Sequence, residues 1–505
     1  MKLKMGKTML TATTSYGSAF SLLVTSLISI RLATHALGTE QFGAWAFVFA
    51  TIGYFFLFDF GLPSSMARVF GEPMATGDSR EIGRWASMCF LIMAGQAVLM
   101  FAGGWFLRDW VLGFSSVQGP LRQEMVDLWD ALLWIRVLSH PVSVLPAMLF
   151  AQNRVYIQNI IYAVSGWLSV AAFYIALEHW HWGLQAYAVS LGVSTGSTVL
   201  LWFLSLLCGP VPLRPTLFGL PWHGFGKMMR FSTGVFGSQL AVQATGLTQN
   251  VIITSVLGLD AAAIFSVTSR LPVFLGTFVF RPFSAFAPRW QQFFCNEATK
   301  DLWKGEFIAL LRFSGLFAAG TATGLLVANL PFVTWWTKPG FASDPSVNVF
   351  LAVVLVAQVL VSCSTTVFHN YYKLGGIATA RILSAITEIG LGIVLAKSIG
   401  LVGIPVAAAI PAVLLVIYAF RSAGRLMAER LFRVIIRDGI WWVPGFCAAA
   451  IACYVGFPGW YFSDPFVAVL AASGLGFLLA LPAFAMAARL MWLLKKPPKP
   501  AFRQD

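Results

Sequence analysis

Charge is what this chain is short of. Only 11% of its 505 residues are Asp, Glu, Lys or Arg, against roughly 25% in soluble domains. A surface that poor in charge could not stay dissolved, and the mean hydropathy of +0.77 points to lipid as the solvent. Cysteine is scarce too. The six present (Cys89, Cys208, Cys295, Cys363, Cys447 and Cys453) sit in or beside apolar runs, with no CxxC pair and no His/Cys cluster. That pattern excludes a disulfide framework and indicates no metal site; the thiols read as small packing residues. Period-2 alternation over segments of about ten residues, the mark of a membrane β-barrel, is missing. No connection is long enough to hold a soluble catalytic domain. No paired carboxylates or nucleophile motif stands out.

What is there is a series of apolar runs, each near the roughly 20 residues a helix needs to cross a bilayer core. Lipid cannot satisfy exposed backbone groups, so the runs must be helices. The expected fold is an all-α polytopic membrane protein with about 14 transmembrane helices: 10–35, 44–68, 85–107, 127–151, 157–178, 184–208, 231–257, 260–284, 307–330, 348–369, 377–397, 401–421, 438–456 and 465–493. The basic start (Lys2, Lys4, Lys7) leads into an apolar run too long for a cleavable signal, so it is expected to stay as the first helix. The net charge of +14 raises the question of nucleic acid. The basic residues lie in short connections rather than on a soluble face, so nucleic acid is not an expected partner and membrane lipid is. About 27 of the 34 lysines and arginines fall on the side that holds both termini, which the positive-inside rule places in the cytoplasm. Trp180, Trp182, Trp335, Trp336, Trp460 and Tyr461 at outer span ends, with Trp85, Trp303, Trp441 and Trp492 at inner ends, are expected to form interfacial belts. Residues 285–306 mix aromatics with Arg289, Lys300 and Lys304 and predict an amphipathic helix on the membrane surface.

An internal repeat organises the spans. The turn Leu37-Gly38-Thr39-Glu40 has a counterpart in Leu257-Gly258-Leu259-Asp260. Leu37 and Leu257 stand 220 positions apart, Asn153 and Asn370 stand 217 apart, and Gly183 and Gly400 also 217. In each turn Gly is expected to take the left-handed conformation after a helix end, with Thr39 or Asp260 capping the next helix. Duplication of a six-helix unit predicts two parallel lobes around a cleft: 10–208 and 231–421, joined by the proline-rich linker 209–230. A helix pair at 438–493 lies outside the duplication, before a tail at 494–505.

Leu37-Gly38 with Phe42-Gly43, Asp59-Phe60-Gly61-Leu62 late in the second span, Arg68, the Asn370–Lys373 connection and Gly400-Leu401-Val402-Gly403 together resemble a family. The chain is similar, over roughly residues 10–421, to polysaccharide-biosynthesis flippases of the O-antigen (Wzx) type, in the superfamily that also holds multidrug and toxin extrusion transporters and lipid II flippases. The resemblance implies a two-lobed transporter of alternating access, not an enzyme. It implies a cargo of undecaprenyl-diphosphate-linked oligosaccharide, turned from inner to outer leaflet of the bacterial cytoplasmic membrane for O-antigen, capsule or exopolysaccharide, with polysaccharide assembly machinery as a partner. The alternatives are a cation-coupled multidrug exporter of the same superfamily, or a membrane-embedded polysaccharide polymerase or ligase.

Ionisable groups inside spans mark candidate sites, because facing lipid costs them several kcal/mol. Arg270, Arg136 and Arg31 are the candidate substrate-binding cations: guanidinium meets phosphate oxygens through a planar fork and stays charged. Arg281, near an inner span end, is read as snorkelling. Glu388 and Asp59 are the candidates for a coupling ion, H⁺ or Na⁺, and no other cofactor is expected. Asp59 has a second reading as a structural pair for an arginine. His140 beside Pro141 is read as structural. Prolines within spans (Pro141, Pro146, Pro272, Pro405, Pro411) can kink helices and serve as hinges or static bends.

Overall fold

The computed structural model describes residues 2–70, 73, 78–152, 154–209, 218–280, 290, 302–338, 340–371, 373–439, 442–455 and 464–494. The predicted surface helix 285–306 and Arg281 fall largely outside them. Among the described residues every regular element is helical. Against an expectation of about fourteen spans, ten helices are long and apolar enough to cross a membrane, or up to twelve if each of two bent pairs is one span. One of the ten, residues 375–427, comprises two helices joined by a short 3₁₀ turn.

By internal packing the chain forms two compact units, Met1–Ala263 and Ile264–Asp505. The first contains α1 (Lys2–Ala36), α2 (Thr39–Gly53), α3 (Leu62–Val69), α4 (Ser79–Gly113), α5 (Pro120–Ser139), α6 (Val144–Ala151), α7 (Val155–Glu178), α8 (Ala186–Leu207), α9 (Trp222–Leu257) and the start of α10 (Leu259–Thr268). The division falls after α9 rather than in the linker 209–230, because α9 packs against α2 and α3. Helix ends obey local rules. Asp78 accepts hydrogen bonds from the backbone of Arg80 and Glu81 to cap α4, and Pro120 opens α5 where no N–H partner is needed. In lipid the hydrophobic effect does not press helices together, so contact relies on close packing. Leu62, Met66, Phe70, Trp85, Met88, Met93 and Met148 form much of this unit's core.

The two turns paired by the repeat touch each other inside this unit. Gly43 lies so close to the backbone of Leu259 that an added Cβ would stand 2.0 Å from its carbonyl oxygen. Thr39 does not cap its own helix: its hydroxyl donates to Asp260 across the pair of turns. Gly258 has the left-handed φ of 90°, but Gly38 is extended at φ −74°. Gly258 combines that positive φ with an extended ψ of 178°, so neither glycine takes the left-handed helical conformation expected after a helix end, and only the second uses a positive φ.

The second unit contains α11 (Leu302–Trp336), α12 (Pro345–Asn370), α13 (Leu374–Ile399), α14 (Gly403–Met427), α15 (Leu431–Gly439), α16 (Val443–Val455) and α17 (Pro465–Leu494). Its core is aromatic at one end, with Trp290, Trp303 and Phe307 edge to face. The helix pair outside the repeat packs on α11. Gly476 approaches the backbone of Gly324, and Gly320 lies under the ring of Phe484. The short α15 is pinned by Asp438, which accepts both arms of the Arg312 guanidinium at 2.8 Å.

The belt expectation holds for Trp180 and Trp182, which are exposed and lie 4.9 Å apart. It is overturned for Trp85, Trp303 and Trp336, which are buried in the protein. They face neighbouring helices instead of headgroups. Trp441, Trp460, Tyr461 and the side chain of Trp492 lie outside the described residues.

Candidate functional site

Two spans of the first unit break, and the breaks meet. The first follows α2. Gly53 ends the α-helix, a 3₁₀ turn covers Tyr54–Asp59, and the chain then passes through Phe60 (φ 46°) and Gly61 (φ 71°) before α3 begins. A break in a span frees backbone groups that lipid cannot satisfy. Here α9 supplies the partner: Ser232 Oγ donates to the Phe60 carbonyl at 2.6 Å. The fit is tight, since a Cβ on Gly61 would come within 2.7 Å of the Ser232 carbonyl oxygen. Tyr54 and Thr248 share a hydroxyl–hydroxyl bond beside it.

The second break lies between α5 and α6, which are bent by 42°. Pro141 has no N–H to give and crowds the preceding turn. At the bend the His140 carbonyl accepts from both the backbone N–H and, at 2.6 Å, the Oγ of Ser143.

Asp59 and His140, one at each break, come together. Asp59 Oδ1 lies 3.2 Å from His140 Nδ1, and Asp59 Oδ2 lies 3.6 Å from Arg136 Nη2. On its far side His140 Nε2 is 3.0 Å from Gln96 Oε1 on α4. The Asp59–His140 approach does not meet hydrogen-bond geometry, so Oδ1 is buried without a donor. His140 itself is buried, while the Asp59 and Arg136 side chains are 23% and 39% exposed. The cluster is polar and partly open, in a bundle otherwise apolar.

Proton accounting limits what this cluster can be. With the Gln96 oxygen turned to His140, one ring tautomer makes Nε2 the donor. Nδ1 then faces a carboxylate oxygen. In that tautomer Nδ1 and Oδ1 turn lone pairs toward each other, a repulsion that a proton on either group would relieve. The junction thus joins one carboxylate, one imidazole and one guanidinium.

The sequence-derived candidates are only partly brought together. Asp59 and Arg136 meet; Arg136 has a carboxylate counter-charge in this structure. Arg31 is exposed on α1. Arg270, in the span Leu259–Phe280 of the second unit, is also exposed, and Glu388 lies half-buried on α13. Sequence reasoning did not bring His140 and Gln96 to this cluster. The available signal was the pair of helix breaks, Asp-Phe-Gly and His-Pro, each placing a titratable group next to freed backbone.

Comparisons place this architecture. Residues 12–294 match the profile of a family described as polysaccharide biosynthesis protein. No curated protein matches the sequence. The fold is shared with a lipid II flippase, MurJ, in an inward closed conformation, at TM-score 0.70 and 12% identity over 96% of this chain and 100% of that one. It is shared with an inward-facing multidrug resistance MATE family transporter of the MOP superfamily, at TM-score 0.65 and 13% identity over 82% and 98%. A MATE transporter of Vibrio cholerae gives TM-score 0.59 and 13% identity over 86% and 100%. At such identities the likeness is one of fold.

Proposed function

The chain belongs to the polysaccharide biosynthesis protein family, and we propose that within it the protein is a flippase for an undecaprenyl-diphosphate-linked oligosaccharide. In this reading it turns the cargo from the inner to the outer leaflet of the bacterial cytoplasmic membrane by alternating access, with both termini cytoplasmic. The product then passes to polysaccharide assembly machinery making O-antigen, capsule or exopolysaccharide.

The observation that carries the reading is the junction of Asp59, Arg136 and His140 at two broken spans. Moving a diphosphate through hydrocarbon uncompensated is prohibitive, so a flippase needs cations whose availability changes during the cycle. Arg136 is held by Asp59. A proton on the Asp59–His140 pair weakens that hold and frees the guanidinium for phosphate. Proton binding and cargo binding thus compete for the same arginine, which couples a proton gradient to transport. The helix breaks supply the bending points. Arg270 and Arg31 are further cations for the headgroup, and Glu388 is a second candidate for the coupling ion.

The test is complementation of a strain that lacks its own flippase. Arg270→Ala and Asp59→Asn should each abolish surface glycan while the protein still inserts. Unchanged export in both would remove these residues from the mechanism. A drug exporter is the second reading, because MATE transporters share the fold. It predicts ethidium efflux from cells carrying the protein, and the flippase reading predicts none.

A further inference from the structure

Three arginines held within the helices each meet a carboxylate. Arg108 bonds Asp130 at 2.8 Å, Arg136 faces Asp59, and Arg312 clasps Asp438. Arg381, two turns into α13, is different. Its Nη2 donates to Thr365 Oγ1 on α12 at 2.8 Å. That hydroxyl in turn donates to the Val361 carbonyl at 2.8 Å. The Nε–H of Arg381 is buried with no acceptor. Among the described residues Arg381 makes no ion pair. Between Pro345 and Met427 the sequence has one acidic residue, Glu388, and it lies two turns away on the same helix.

The α12–α13 turn, two helical turns before Arg381 along the chain, carries further donors. Asn370, at the end of α12, is buried with its Nδ2 lacking any acceptor. His369 lies one turn beyond Thr365 on α12. Lys373 is exposed at the start of α13. A guanidinium inside a span with a single neutral partner is costly. Snorkelling would place the head in water and leave no buried orphan nitrogen. A buried N–H without an acceptor on an uncompensated cation calls for an oxyanion, and the planar fork suits phosphate best.

We propose that Arg381, with Asn370 and Lys373 at the α12–α13 turn, is a phosphate-binding site for the diphosphate group of the carried lipid. The carrier's identity rests on the flippase reading; the phosphate chemistry does not, and a resident phospholipid headgroup would present the same group. The site lies on the side that charge asymmetry assigns to the cytoplasm, where the cargo is loaded.

The test titrates farnesyl diphosphate and, separately, phosphatidylglycerol into the detergent-solubilised full chain, followed by tryptophan fluorescence and thermal shift. Arg381→Met should bind farnesyl diphosphate at least tenfold more weakly than the parent protein, with Arg381→Lys in between and phosphatidylglycerol unaffected. If only phosphatidylglycerol binding depends on Arg381, the assignment to carried lipid is overturned. If neither lipid depends on it, the site itself is overturned, whether or not the protein exports glycan. Should Arg381→Met fail to fold, Arg381→Lys and Asn370→Leu decide: each should weaken farnesyl diphosphate binding at least threefold, and parental affinity in both refutes the site. Loss of the flippase reading shows separately, as absent glycan export in the complementation assay with Arg381-dependent diphosphate binding intact.

Discussion

Asp59→Asn and His140→Gln, made singly and together, test whether the junction works as one unit. The Asp59–Arg136 separation of 3.6 Å corresponds to about 4–5 kcal/mol at an effective dielectric of about 20. Both side chains reach solvent, and screening reduces that to roughly 1–2 kcal/mol. Asp59→Asn removes this attraction. It also lets an amide N–H donate to His140 Nδ1, so the neutral ring is satisfied without any extra proton. The single variants should each lower stability, and the double variant should lose less than their sum, with a coupling of about 0.5–2 kcal/mol. Thermal unfolding in detergent measures the coupling. Transport should respond in parallel: the parent protein's rate should depend on external pH, with Asp59, His140 and Arg136 the charged groups at the junction, and Asp59→Asn should flatten that profile. Additive stabilities together with an unchanged pH profile would refute the shared-proton reasoning.

Three other outcomes are expected. Asp438→Ala strands the Arg312 guanidinium and should cost about 3–5 kcal/mol, whereas Asp438→Leu combined with Arg312→Met should recover most of it; thermal scanning of the purified protein checks both. Gly43→Ala must push α2 from Leu259 and should cost about 1–3 kcal/mol. Gly38→Ala, at φ −74° with open space around it, should stay within about 0.5 kcal/mol; size-exclusion of detergent extracts after heating separates the two. Glu388→Gln should weaken transport driven by an ion gradient in vesicles, and undiminished uptake would dismiss a coupling role for that carboxylate.

Much of the fold was legible because lipid makes strong demands on a sequence. Apolar runs of span length have no soluble use, and backbone satisfaction inside hydrocarbon leaves helices as the outcome. The paired turns at Leu37 and Leu257 were also legible, and the structure adds that Thr39 bonds Asp260 and Gly43 meets Leu259. What a single sequence does not carry is direction around each helix. Trp303 was expected in an interfacial belt, but it turns inward against Phe307 and Tyr371. Arg381 stands near the start of its span in the sequence, and only the structure shows its guanidinium reaching α12. His140 was read as an accessory of Pro141, because the break it belongs to is visible in sequence while the carboxylate across from it, 81 positions earlier, is not. Depth follows from hydropathy; facing follows from packing, which needs the partners in place.

Flipping itself tests the account most directly. The purified protein is placed in liposomes with a fluorescent polyprenyl-diphosphate oligosaccharide, and a membrane-impermeant reagent reports which leaflet holds the sugar. With a proton gradient imposed, the parent protein should carry the labelled lipid beyond the roughly half that is accessible in protein-free liposomes, and Asp59→Asn should not. Accessibility equal to that of protein-free liposomes, with the parent protein folded and the gradient intact, would contradict the central claim.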